Sequence, residues 1–251
     1  MRLGVSVFIL MLAGSLAQVQ GATNDAFAQG VVAYHAGQFM AAAQAFDNAA
    51  AVHPSAGTFV NLGLAEWQRG HVGPAILAWE RAHWIDPFNK TARNDLQFSR
   101  EVAQLDAPQL DWFETLSDWL PATAWLWLAG ASLWVAAGMI LLPGVFGRHR
   151  AGWHQILAAF GLCVFLFSLA ANWGIISRTR LGFVLEDNAP LLLTPTRDGE
   201  IISILTSGEP ARQLRQRGKY YLIRTGSETG WIEQEQFGLV SGSSFRDCST
   251  R

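Results

Sequence analysis

The two longest stretches of the chain without a formal charge at neutral pH fall either side of a short basic loop. Trp119–Gly147 runs for 29 residues and Ala151–Ser177 for 27 without Asp, Glu, Lys or Arg. A helix needs about 20 apolar residues to cross the hydrocarbon core of a bilayer, so the pattern predicts two membrane-spanning helices, over 121–146 and 153–176. A pair of buried helices in a soluble core is the alternative, but such helices rarely run this long without charge. Trp119, Trp125, Trp127, Trp153 and Trp173 lie near the ends of the two stretches, where amphipathic rings favour a bilayer interface. Gly130, Gly138, Gly161 and Gly174, with several alanines, would let the two helices approach closely. The expected arrangement is a hairpin with a loop at 147–152.

On either side of the hairpin the periodicity differs. Upstream, residues 23–104 read as alanine-rich helices. Downstream of Arg180, short β-rich runs appear at Gly182–Leu185, Pro190–Leu193, Ile201–Leu205, Lys219–Arg224 and Gly230–Glu233. Asp187-Asn188, Thr194–Gly199, Ser207–Pro210 and Thr225–Thr229 supply turn chemistry between them. Five short strands in about 60 residues predict a small all-β barrel over 182–240, followed by a polar tail at 241–251. Between helices and hairpin, the segment 105–120 contains Leu110, Phe113, Leu116 and Leu120 at helical spacing. A short helix lying in the bilayer interface and the first turns of the membrane helix fit it equally.

Charge sets the orientation. The hairpin loop is basic through Arg148 and Arg150, and short loops rich in Lys and Arg stay cytoplasmic, which places both flanking regions outside. Arg178 and Arg180, directly after the second helix, weigh the other way. At the amino terminus, Arg2 precedes the apolar run Leu3–Ala13 and then small residues at Ser15-Leu16-Ala17, the pattern of a secretory signal peptide over 1–22. An uncleaved third membrane helix is the alternative. Either way the chain from Thr23 onward is expected to be exported.

The helical region repeats at a spacing of 33 residues. Gly30 aligns with Gly63, Gly37 with Gly70, Ala42 with Ala75, Phe46 with Trp79, Ala49 with Ala82, and Pro54 with Pro87. Small residues at fixed points let paired helices cross closely, and an aromatic fills the space beside them. This order resembles the tetratricopeptide repeat, with Asn89–Gln104 as a more polar capping helix. The resemblance implies a concave face that binds protein rather than performs chemistry, formed by Phe27, Val31 and Tyr34, then Val60, Leu64 and Trp67, then Lys90 and Arg93. Packing between neighbouring helices is the other reading of Tyr34 and Trp67. Most positions that clamp a carboxylate in peptide-binding members are apolar here, which argues against capture of a chain terminus.

The downstream strands resemble a bacterial SH3-type domain. The landmarks are Val184, Leu191 and Leu193 before Pro195, Leu205-x-x-Gly208, and Gly218–Arg224 leading to Gly230-Trp231-Ile232. The resemblance implies a groove lined by Tyr220, Tyr221 and Trp231 for an extended ligand, a neighbouring protein or a wall polymer. A core role for the same aromatics is the competing reading.

Composition sharpens this division. Of 251 residues only 15% are charged, and the net charge is -2, which offers no field for nucleic acid. The charges are unevenly spread: 2 in residues 119–177, 16 in 23–118, 19 in 178–251 and one in 1–22. Cys163 and Cys248 make no plausible disulfide. His35, His53, His71 and His83 lack metal-ligand spacing. Neither a phosphate-binding loop nor a nucleophile elbow is present, and the only polar candidates for a site inside the hairpin are His154, Gln155 and Asn172. Neither enzyme activity, nor a cofactor, nor a metal site is expected.

The whole order of signal peptide, helical repeats, hairpin and SH3-type barrel resembles the BatE family of the bacterial aerotolerance operon. The fold class expected is a multidomain membrane protein of the inner membrane, with both binding regions periplasmic. The resemblance implies an adaptor, with a MoxR-type ATPase and von Willebrand factor A membrane proteins as partners. A cell-wall anchor whose barrel holds peptidoglycan is the alternative.

Overall fold

The structure is a computed structural model that describes residues 25–145, 152–197, 199–226 and 228–242. The predicted signal peptide, Arg148 and Arg150 of the hairpin loop, and most of the polar tail lie outside the described residues. Two compact units are present. The first comprises the described residues up to His83, Phe88–Ala107 and those from Leu181 onward; the second comprises Trp84–Pro87 and Pro108–Arg180.

The first unit begins with five helices: α1 (residues 25–35), α2 (Phe39–Val52), α3 (Ala56–Gln68), α4 (Val72–Ile85) and α5 (Lys90–Ala103). Local chemistry sets their ends. Gly37 and Gly70 turn the chain between α1 and α2 and between α3 and α4 at φ 75° and 81°, a left-handed region that favours glycine. The Ser55 hydroxyl accepts the Thr58 amide at 3.2 Å to start α3, and Asn89 Oδ1 accepts the Ala92 amide at 3.0 Å to start α5. The 33-residue repetition reappears as a repeated contact. A Cβ at Gly30 would sit 2.6 Å from the Phe46 ring, and one at Gly63 would overlap the Trp79 indole. Both rings are only 1% exposed, so each glycine is the space its aromatic occupies.

Helix α4 is buried on both sides. Gly73 and every residue from Ala75 to Ala82 are buried. Toward α3, Trp79 Nε1 donates to the Val60 carbonyl at 3.3 Å. Its other side meets the sheet. The Gly73 amide donates to Ser207 Oγ at 2.9 Å, and Arg81 Nη2 donates to the Leu239 carbonyl at 2.8 Å. A Cβ at Gly208 (φ 87°) would come within 2.7 Å of Ile76 Cδ1 and Leu105 Cδ1.

That sheet has seven antiparallel strands: β1 (Leu181–Val184), β2 (Ala189–Leu192), β3 (Ile201–Leu205), β4 (Pro210–Arg217), β5 (Tyr220–Thr225), β6 (Glu228–Glu233) and β7 (Phe237–Leu239). Their order is β3-β2-β6-β5-β4-β1-β7. Strands β3 and β7 are therefore edges, and the sheet does not close into the barrel expected from sequence. Val184, Leu191, Leu205, Ile223, Ile232 and Phe237 form its core, whereas Leu193 is 55% exposed. Strands β4 and β7 went unpredicted. Strand β4 reads Pro-Ala-Arg-Gln-Leu-Arg-Gln-Arg, residues of low β-propensity, and pairing with β1 and β5 makes it a strand.

The second unit holds α6 (Trp112–Ser117), α7 (Ala122–Val145) and α8 (Gly152–Arg178). Helix α6 is a separate element and not the first turns of α7. Its start is fixed by a capping box, with Glu114 Oε2 accepting the Asp111 amide at 2.9 Å. Helices α7 and α8 are long and apolar enough to span a bilayer, yet only 17% of each apolar stretch is buried. A Cβ at Gly161 would lie 3.0 Å from the Ser132 carbonyl, so Gly161 marks the close approach of α8 to α7. Gly174 instead admits α6, because a Cβ there would run into the Phe113 carbonyl, and Gly130 faces open space. The expectation that Gly130 and Gly174 seat the two long helices against each other is thus corrected: an extra element competes for one of them.

Candidate interaction surfaces

Six of the eight residues expected on a concave repeat face pack against the core of the helix stack. Val60 is buried, and Phe27, Val31, Tyr34 and Leu64 are half-buried against the same core. The Phe27 ring lies 5.5 Å from that of Phe46, and Tyr34 lies 5.4 Å from Phe39. Trp67 sits between Trp79 and Phe98, with centroids 5.9 Å from each. Lys90 and Arg93 are exposed on the first turn of α5, apart from the apolar six. On the same helix Phe98 and Val102, one turn apart, are 55% and 58% exposed.

The turn between α3 and α4 carries a charged cluster. Arg69 Nη1 donates to both oxygens of Glu66 at 2.9 Å, and His71 Nδ1 lies 2.9 Å from Glu66 Oε2. Its role is local, since all three residues brace the turn around Gly70. A second ion pair, Arg100 with Glu80, ties α5 to α4. Asp95 on α5 is less comfortable: its Oδ2 is buried without a hydrogen-bond partner among the described residues, and burial pushes its carboxyl above the usual carboxylate range.

The three aromatics expected to line a groove on the β-domain divide between two faces. Residues directly opposite one another in antiparallel strands share a face. Tyr221 pairs with the buried Ile232 and lies 6.2 Å from the Phe237 ring, so it belongs to the core. Tyr220 and Trp231 share the opposite, outer face, where the Tyr220 hydroxyl donates to Glu233 Oε1 at 3.3 Å. Following the pairings along that face gives a row across five strands: Ile201, Leu192, Trp231, Leu222 and Arg215. Arg212, Arg217 and Arg224 lie on the same face by register, and so does Ile204. None of these arginines stood out in the sequence. Their alternation is broken by a bulge between Gln213 and Arg215, which hides a period of two.

In the second unit an apolar groove of about 360 Å³ is lined by Leu116, Trp119, Trp125, Leu128, Phe160, Cys163, Val164 and Phe167. Cys163, a free thiol, lies among otherwise apolar side chains there. Arg178, one of the two arginines that weigh against the predicted orientation, is buried at the end of α8. Its Nη1 donates to Asp118 Oδ1 at 2.8 Å, and its guanidinium stands 5.1 Å over the Trp84 ring. A charge held in an ion pair and a cation–π contact is not a free loop cation. Among the described residues no three His, Cys, Asp or Glu side chains converge as a metal site needs.

No protein-family description matches this chain, and neither a curated protein nor a solved structure is significantly similar to it.

Proposed function

We propose that the chain is a two-pass protein of a bacterial inner membrane, whose helical repeats and β-sheet act together as a periplasmic adaptor for other envelope proteins. One observation carries the reading. Residues that precede the α7–α8 hairpin and residues that follow it belong to one compact unit, and a chain that crosses a bilayer twice returns to the side it left. A single crossing would separate α4 from the sheet that covers it. The exposed apolar surface of the hairpin supports the same reading. Trp127 and Trp134 are each 80% exposed, which water disfavours and lipid does not.

The finer assignments follow from the sequence resemblances: α1–α5 as tetratricopeptide-type repeats, the sheet as an SH3-type domain, and membership of a BatE-like group. In that setting the partners are a MoxR-type ATPase and von Willebrand factor A membrane proteins. The exposed Phe98 and Val102 of α5 give an apolar surface suited to a protein partner. Affinity purification from detergent-solubilised membranes should recover these partners, and deletion should disturb their assembly. Recovery of none, with assembly unchanged, would sink the adaptor reading. Orientation has its own test in a background lacking Cys163 and Cys248. His149→Cys should escape an impermeant maleimide in intact cells while Lys90→Cys reacts, and the reverse pattern would invert the topology.

A further inference from the structure

The outer face of the sheet is neither an ordinary polar surface nor a core surface. Its β3–β2–β6 half is apolar: Ile201 and Ile204 are 56% and 63% exposed, Leu192 lies between strands, and Trp231 is half-buried beside it. Its β5–β4 half is cationic. Arg212, Arg215, Arg217 and Arg224 share the face, whereas in the strand register its acidic side chain is Glu233, engaged with Tyr220. Lys219 adds a further cation at the β4–β5 turn. The cross-strand row from Ile201 through Trp231 to Arg215 makes the two halves continuous. Apolar side chains, an indole and arginines on one surface suit the boundary between acyl chains and charged headgroups.

The chain also fixes where such a boundary would be. Helix α8 ends at Arg178 and β1 begins at Leu181. The three backbone steps between them reach at most about 11 Å, so a bilayer crossed by α8 is tethered to the sheet at high effective concentration. We infer that the outer face of β2–β6 docks reversibly on the anionic phospholipid surface of the bilayer that α8 crosses, with Arg215, Arg217 and Arg224 facing phosphates and Ile201, Ile204 and Trp231 entering the interface. This inference rests on the membrane-spanning reading of α7 and α8. Charge makes the docking selective: each arginine at an anionic surface raises the docked-to-undocked ratio about fivefold.

The test uses the full chain in lipid nanodiscs, with Cys163 and Cys248 replaced by serine and bimane placed on Thr229→Cys, which pairs with Arg224 on the outer face. Bimane on Gln216→Cys, which pairs with the inward Tyr221, is the control. With half the lipid phosphatidylglycerol and a nitroxide-bearing lipid present, the Thr229 label should be quenched and the Gln216 label not. Phosphatidylcholine discs, high salt, or R215Q/R217Q/R224Q should abolish the quenching, while an unchanged melting temperature in phosphatidylcholine discs shows that the triple variant folds. Equal emission in both lipids overturns the docking and leaves the membrane reading intact. A chain that does not enter discs overturns both. A bimane response to added wall sacculi, with none to anionic lipid, overturns the inference in favour of a wall polymer.

Discussion

At the scale of single residues, Gly30 and Gly63 decide whether the helix pairs close. Each is the absence of one methyl group beside a buried aromatic ring. Forcing an extra carbon into such a site costs about 1–3 kcal/mol. Gly63→Ala should therefore lower the thermal midpoint measured by circular dichroism, and a Gly63→Ala/Trp79→Phe pair should recover part of the loss. An unchanged midpoint for the single variant would mean that the indole moves freely. Asp95 gives a prediction of opposite sign. Because burial raises its pKa, the folded form holds the proton more tightly than the unfolded chain. Stability is then greatest below the unfolded value and falls as pH rises through the raised one. Asp95→Asn should melt higher than the parent near neutral pH, with the difference shrinking toward pH 4; a difference independent of pH would disprove the mechanism. The glycines were legible in the sequence because their spacing repeats. Asp95 was not, since its position on α5 suits an exposed face as well as a buried one.

Among the elements, legibility followed the strength of periodicity. The two charge-free stretches and the strands with alternating apolar residues appear within a few residues of their expected positions. Helix α6 was ambiguous because its apolar spacing continues into α7, and the turn at 118–121, which ends in Pro121, separates them. Strand β4 was missed because its stability comes from cross-strand partners, information that no local window contains. Glycine roles inside the hairpin depended on a third element. Gly161→Leu should push α8 from α7 and lower the melting temperature in detergent, by about 1–3 kcal/mol of stability. Gly130→Leu, with open space around it, should not. Equal effects of the two variants would show that the close approach at Ser132 contributes nothing.

At the scale of the whole molecule, the sequence separates helices from strands by the hairpin, and folding joins them. Contacts such as Gly73 with Ser207 and Arg81 with Leu239 span 134 and 158 residues, distances at which no periodicity or composition signal operates. The candidate surfaces depend on folding in the same way: the six apolar residues expected on a binding face pack against partners such as Phe39, Phe46, Trp79 and Phe98. Gly73→Val, a change within a helix, should reduce hydrogen-exchange protection in β1 and around Ser207, because its side chain would strike the Val184 carbonyl and Ser207 Oγ. Loss of protection confined to α4 would refute the joint unit. This arrangement also has a consequence in time. At translation rates of roughly 5–20 residues per second, the 134 residues between Gly73 and Ser207 take on the order of 7–27 seconds to make. Throughout that interval the strands that will cover Ile76 and Leu77 are still unmade. The nascent protein thus passes through a half-built state with a bare apolar helix, and its yield in vivo should depend on whatever shields that helix until the last quarter of the chain arrives.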